Sequence, residues 1–527
     1  MERDWRFRSA GCLLSIALAP LVIAAADSRA PVCINCHAKE TEAYLKSAMG
    51  NSIAPPTPLG AGHVANENTG VELSITERDG RMIHSLTAGG RAAEYPIAYE
   101  IGAGKIGYTY VVRVGDYLFE SPASWYRKHG WDFSPGYGSM ASPDFDRLVD
   151  SSCLFCHSGN AAFAGSDGRR FSGAALAAVS CERCHGPSGD HVRSPSAKNI
   201  VNPAKLAARA RDSICEQCHL EGEHRLLNPG KTWQDYRPGD ELEQTAVTYL
   251  LTRNNHEVRA VEQVEQLALS KCARSSAGKL WCGTCHNPHR EAADRARQIR
   301  SVCQSCHPSV SKAAHAGVTE CVSCHMPRLS ADDIPHAATT DHRILRVAAP
   351  LPNGDAVGAE VSAWQEPPAP FRSRDLGMAA VVIGGTRGIA SMHDSGIKIL
   401  ESLPAEQRDH DPQVLSALVS SALQQRDLDQ AKTLARQAAE LQPDSGFASL
   451  SLAIVLENSG DDRGAERQLL HTIDLDPSLQ APWMNLAFLY KRLGRERDQM
   501  ALLDRYLKWN PQSIWLRQLK SMSAGQH

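Results

Sequence analysis

Seven copies of the pentapeptide Cys-x-x-Cys-His run along the chain: Cys33-Cys36-His37, Cys153-Cys156-His157, Cys181-Cys184-His185, Cys215-Cys218-His219, Cys282-Cys285-His286, Cys303-Cys306-His307 and Cys321-Cys324-His325. Two thiols at this spacing can form thioethers to the two vinyl groups of one porphyrin, and the adjacent imidazole then reaches its iron. The pattern is the attachment signature of a c-type haem. With 16 Cys and 21 His in 527 residues, chance yields about 0.02 such pentapeptides. Zinc knuckles and disulfides also use paired cysteines, but neither needs a histidine placed identically seven times. The expected cofactor is therefore haem c, seven times over, with the motif cysteines as attachment points and the motif histidines as proximal ligands. Only Cys12 and Cys272 lie outside the motifs, and Cys272 is expected to be a buried free thiol.

A sixth ligand decides whether a haem iron passes electrons or binds a substrate. Ten further histidines fall in the same region: His63, His84, His129, His191, His224, His256, His289, His315, His336 and His342. His191 and His289 sit close behind a motif, His315 just before one, and His336 and His342 just after the last. With His63, in a Gly-flanked loop, these make six candidate distal ligands. His84 is expected as an exposed strand residue, and His129, His224 and His256 as surface residues. Six candidates against seven proximal histidines leave one iron to Met49, to His84 or to no protein ligand.

The elements that must position these groups follow in order. Residues 1–26 place Arg3, Arg6 and Arg8 before an apolar run ending at Ala24 and Ala26, the form of a cleaved secretory signal peptide. Export to the periplasm agrees with haem attachment outside the cytoplasm. The cytochrome domain spans 27–347, with a β-rich insertion at about 71–120 whose turns fall at Asp79-Gly80 and Gly115-Asp116. A Pro/Ala/Gly-rich linker occupies 348–374. In the last region, 375–522, Pro443, Pro477 and Pro511 recur every 34 residues, in phase with Leu418, Leu452 and Leu486. That period marks tetratricopeptide repeats, helical hairpins that bury their apolar faces by stacking. The expected fold class is mainly α, a haem-organised domain with a small β insertion followed by an α-solenoid.

Net charge of −3 offers nothing to a nucleic-acid backbone. A mean hydropathy of −0.33 and the absence of a second long apolar run predict no membrane span in the mature chain. The aromatic fraction of 6% is low, as expected where porphyrin supplies the core.

At CERCHGPSGDH, CHNPH and CVSCHMPR followed by PHAATTDHRI, the chain resembles multihaem cytochromes c with doubled motifs. That group takes in tetrahaem cytochromes of ammonia oxidisers, hydroxylamine oxidoreductases and pentahaem nitrite reductases. IGAGKIGYTYVVRVGDYLFESPASWY, IVNPAKL, DSICEQCHLEGEHR and KLWCGTCHNPH look more closely like exported bacterial multihaem cytochromes ending in tetratricopeptide repeats. The resemblance implies distal histidines at His191 and His289. The Lys that replaces a motif histidine in nitrite reductases is absent here. Three functions follow as expectations: electron transfer with the repeats docking a redox partner protein, without catalytic residues; an oxidoreductase of a small nitrogen or sulfur oxyanion at one open iron; or a redox sensor or assembly scaffold.

Overall fold

A computed structural model of the chain describes residues 32–140, 143–252, 257–308, 315, 320–347 and 359–524; the expected signal peptide, Cys12 and His256 lie outside them. The N-terminal region is richer in strand than expected. Eight antiparallel strands, β1 (Ile53–Ala54), β2 (Gly62–Asn66), β3 (Val71–Arg78), β4 (Arg81–Ala88), β5 (Arg91–Ile101), β6 (Gly107–Val114), β7 (Tyr117–Tyr126) and β8 (Gly130–Phe133), form one sheet in the order β2 to β8, with β1 against β5. The insertion thus extends beyond 71–120 at both ends. Short strands that open on glycine, GHVAN and GWDF, carry too little alternation to be seen in sequence.

The β3–β4 turn uses Asp79 and Gly80, both with positive φ (53° and 69°), the twist that a two-residue hairpin prefers. Gly115-Asp116 links β6 to β7. The sheet curls until β2 meets β8, where any Cβ on Gly62 would strike the Trp131 indole. Val71, Leu73 and Ile75 of β3 alternate inward to join Leu86, Tyr110, Val112 and Phe119 in the core.

From Asp150 to Leu345 the described residues form short helices, loops and short strands. Each motif lies on a helix of a few turns or less: Ile34–Tyr44, Ser151–His157, Glu182–His185, Ala208–His219, Cys282–Cys285, Arg295–Cys306 and Val322–His325. Asp150 and Asp294 cap two of them by accepting backbone N–H bonds, which offsets part of the unfavourable start of so short a helix. The expected linker is not purely a connector. Its residues Glu360–Ala363 form a strand that pairs with Ala246–Thr252, which in turn pairs with His224–Leu227. Leu226, Val247 and Tyr249 of this small sheet pack on Met378, Ala379 and Ile383 of the first C-terminal helix.

That helix, Arg372–Arg387, starts inside the expected linker and forms a hairpin with Ala390–Glu401. Then come Pro412–Gln424 with Leu428–Leu441, Gly446–Asn458 with Asp462–Leu475, Gln480–Arg492 with Glu496–Trp509, and Ile514–Ala524. First helices therefore start at residues 412, 446, 480 and 514, the 34-residue step of a helical-hairpin repeat. Small residues permit the close approach: Ala431, Ala435, Ala438, Ala453 and Ala465 are completely buried.

Candidate metal centres

Two residues separate the cysteines of each motif, so both thiols project from nearly one turn, and the histidine follows at or beyond the helix end, except His37, which sits at a kink within Ile34–Tyr44. In four cases the structure sets a second imidazole opposite the motif imidazole. His37 faces His191 with ring centres 6.3 Å apart and planes 20° apart; His185 faces His289 at 5.8 Å and 18°; His286 faces His342 at 6.3 Å and 28°; His325 faces His315 at 6.3 Å and 19°. Direct stacking brings imidazoles far closer, as in His129 on His336 at 3.7 Å. A gap near 6 Å is what one metal ion between two rings requires: about 2 Å for each bond and about 1 Å from each nitrogen to its ring centre.

Hydrogen bonds select the ligating nitrogen. His185 Nδ1 donates to the Val201 carbonyl at 2.7 Å, His325 Nδ1 to the Leu345 carbonyl at 2.7 Å and His342 Nδ1 to the Thr340 carbonyl at 2.7 Å. His191 Nδ1 lies 3.0 Å from the Ser196 carbonyl. A carbonyl only accepts, so the proton sits on Nδ1 and Nε2 is left as the ligand atom. Desolvation pulls the pKa of His286 down to about 4, helped by Arg295 and His342, and lowers those of His289 and His342.

Ligand pairs interleave the motifs. His191 follows the third motif yet faces the first, and His289 follows the fifth yet faces the third. The peptides touch as well. Cys33 lies beside Cys181, Cys156 beside Cys218, Cys215 beside Cys282 and Cys303 beside Cys321. Gln217 donates to the Arg183 carbonyl at 3.0 Å, Arg183 to the Phe155 carbonyl at 2.8 Å, and Gln298 to the Cys285 carbonyl at 3.2 Å. These contacts link all seven motifs into one cluster. The residues fit haem c: paired thiols, an imidazole with a directed Nε2 and, four times, a second imidazole at the right distance.

Other candidates are placed differently. His63 is exposed on β2. His336 turns to Asp132 and His129 instead of a motif histidine. His84 is fully buried, not exposed: its Nδ1 lies 2.8 Å from Ser121 Oγ, its ring meets Tyr110 and Trp131 edge-on, and burial lowers its pKa to about 3. The curl of the sheet covers both faces of β4 there. His224 is half-buried in a strand, where burial lowers its pKa. Cys272 is half-buried rather than buried, and Met49 is half-buried in a 3-10 turn. Among the described residues no second ring stands opposite His157, His219 or His307; His219 Nδ1 lies 3.3 Å from Gln263 Oε1.

Comparison with known proteins gives the class. The family described as cytochrome c554 and c-prime matches residues 137–186, which contain the second and third motifs. The multiheme cytochrome MtrA of Shewanella baltica is 31% identical over 192 residues, covering 32% of this chain and 56% of that protein, so the chain spans about half the length of this relative. Both matches are to cytochromes, and they support a multihaem cytochrome with covalently bound haem c. Among solved structures, a thermophilic tetratricopeptide-repeat protein of Thermus thermophilus is 18% identical over 28% of this chain and 79% of its own, with a TM-score of 0.24. Pseudomonas aeruginosa pilF is 14% identical over 27% and 64%, also with a TM-score of 0.24. No described helix is long and apolar enough to cross a membrane.

Proposed function

We propose that this protein is a heptahaem cytochrome c that transfers electrons in the periplasm, with its repeat helices docking a protein partner. The four facing histidine pairs carry the proposal. Two imidazoles on opposite sides of an iron fill its axial positions, which favours electron transfer over ligand binding. Haem c supplies a one-electron Fe(III)/Fe(II) couple when bound. The chain's own part is to fix imidazoles through Nδ1–carbonyl bonds and to hold neighbouring motifs in contact. Export is supported by the Arg-led apolar start of the sequence, and docking by the stacked hairpins, whose extended surfaces suit protein binding. The purified protein should give seven haems per chain by pyridine haemochrome assay and mass, with at least four low-spin bis-histidine signals by magnetic circular dichroism. Fewer than four such signals would sink the electron-carrier assignment.

A second reading has its own support. His157, His219 and His307 have no opposing ring among the described residues, so one of these sites is the place for an open iron acting on a small nitrogen or sulfur oxyanion. Cyanide and nitrite titrations separate the two: a ligand-induced absorption shift with nitrite turnover favours the oxidoreductase, and inert spectra favour the carrier.

A further inference from the structure

Away from the seven motifs, two histidines and an aspartate from distant parts of the chain converge. His129 precedes β8 and Asp132 lies within it, while His336 belongs to the loop between the strands Arg328–Ser330 and Ala338–Thr340, just beyond the last motif. His336 Nε2 is 2.7 Å from Asp132 Oδ2, and His129 Nε2 is 3.5 Å from the same oxygen. One ligand atom from each residue lies within 4.8 Å of the others. Two imidazoles from separate parts of the chain thus share one carboxylate oxygen. The rings are stacked 3.7 Å apart with planes 10° apart, so one ring turns out of the stack for both nitrogens to reach one ion, and Tyr126 closes on His336 edge-on at 5.0 Å. His336 also holds a left-handed backbone, φ 57°, a conformation that costs a non-glycine residue energy and persists where its surroundings demand it.

We propose that His129, Asp132 and His336 form a binding site for a divalent transition-metal ion of the zinc class, distinct from the haem irons. Imidazole and carboxylate ligands at about 2.1 Å from one ion stand about 3.0–3.4 Å from each other, so the observed nitrogen–oxygen separations already bracket that spacing. Two imidazoles and a carboxylate are a donor set suited to zinc and its neighbours, with the remaining positions left for water. Side-chain exposures of 48%, 28% and 29% leave room for those waters. The ion would pin the end of the β-sheet to the segment that carries the seventh motif and His342.

The test uses the haem-loaded full-length protein and zinc itself as probe. After dialysis against chelator, zinc is titrated back and bound metal is counted by mass spectrometry, with iron as internal standard for haem. One zinc per chain is expected, weakened at least about tenfold in H129A and in D132N and unchanged in H471A, an exposed histidine of the repeats. The haem spectrum should be the same in all four proteins. Binding no weaker in both site variants than in H471A overturns the proposal. So does loss of a low-spin haem signal in H336A, because His336 would then be an axial ligand to iron.

Discussion

Nδ1 does the selecting at the histidines of this protein. Where a backbone carbonyl accepts its hydrogen bond, as for His185, His191, His325 and His342, Nε2 is presented to the opposite ring. Replacing His191 or His289 by Ala should convert one haem each from low-spin to high-spin, and the two changes should add in the double variant. Electron paramagnetic resonance of the oxidised protein reads this directly; an unchanged low-spin count would reject the pairing. A second residue-scale outcome concerns Asp144. It is 4% exposed, its Oδ2 accepts from the Ile514 N–H at 2.7 Å, and burial raises its pKa to about 6. A carboxyl with a raised folded-state pKa stabilises the fold below its ordinary value near 4, and that contribution is lost as pH rises through about 6. Urea unfolding of wild type against Asp144→Asn should show the difference between them changing between pH 4 and 6, by up to about 1.4 kcal/mol per unit. Candidate ligands were legible here because histidine clusters around the motifs. Which motif each one serves was not, because His191 reaches back across more than a hundred residues of chain to His37.

At the scale of elements, the repeats expose their own exception. Residues 426, 460 and 494 occupy equivalent turns with positive φ, but the first is Arg426 at 61° while the others are glycines at 74° and 69°. Arg426→Gly should stabilise the repeat region by about 1 kcal/mol, read as a higher urea midpoint. At the base of the repeats, Arg374 is 3% exposed between Asp375 and Asp411, with Nε 2.8 Å from Asp411 Oδ2. Arg374→Met leaves two buried carboxylates without their cation and should cost about 3–5 kcal/mol, measured by the same denaturation. The 34-residue period announced these hairpins because stacking repeats the same packing need at every step. The haem-bearing helices announced themselves only through their cysteines, since helices of four to twelve residues have hardly any apolar face of their own. Strands β2 and β8 and the strand Glu360–Ala363 were illegible for the same reason: they owe their conformation to a partner.

The whole molecule is organised by a junction. Successive inter-repeat turns lie along the sheet and the loop that follows it: Ser166 donates to Asp444 at 3.1 Å, Arg169 pairs with Asp476 at 2.6 Å, Gln480 donates to Asp146 at 2.9 Å and Tyr95 donates to Asn510 at 2.5 Å. Ile514 and Trp509 enter the core of the sheet itself. The repeats are thus fixed to the haem region along one edge, which leaves Met484 and Phe488 exposed on one of their first helices. Arg169 is the central contact, bonded also to Ser478 at 2.9 Å and lying over the Phe447 ring at 5.0 Å. Arg169→Ala strands Asp476, which is 3% exposed, and should loosen the junction by about 3–5 kcal/mol. Limited proteolysis would show it as faster release of the repeat region, with haem content unchanged. The sequence alone determined the cofactor class and the repeat period, because thioether attachment and helical stacking each demand particular residues at fixed short spacings. Only the tertiary structure decided which imidazole faces which, how far the sheet extends, and that repeats and haem region share one core. Those outcomes rest on contacts between residues far apart in the chain, and no local spacing encodes them.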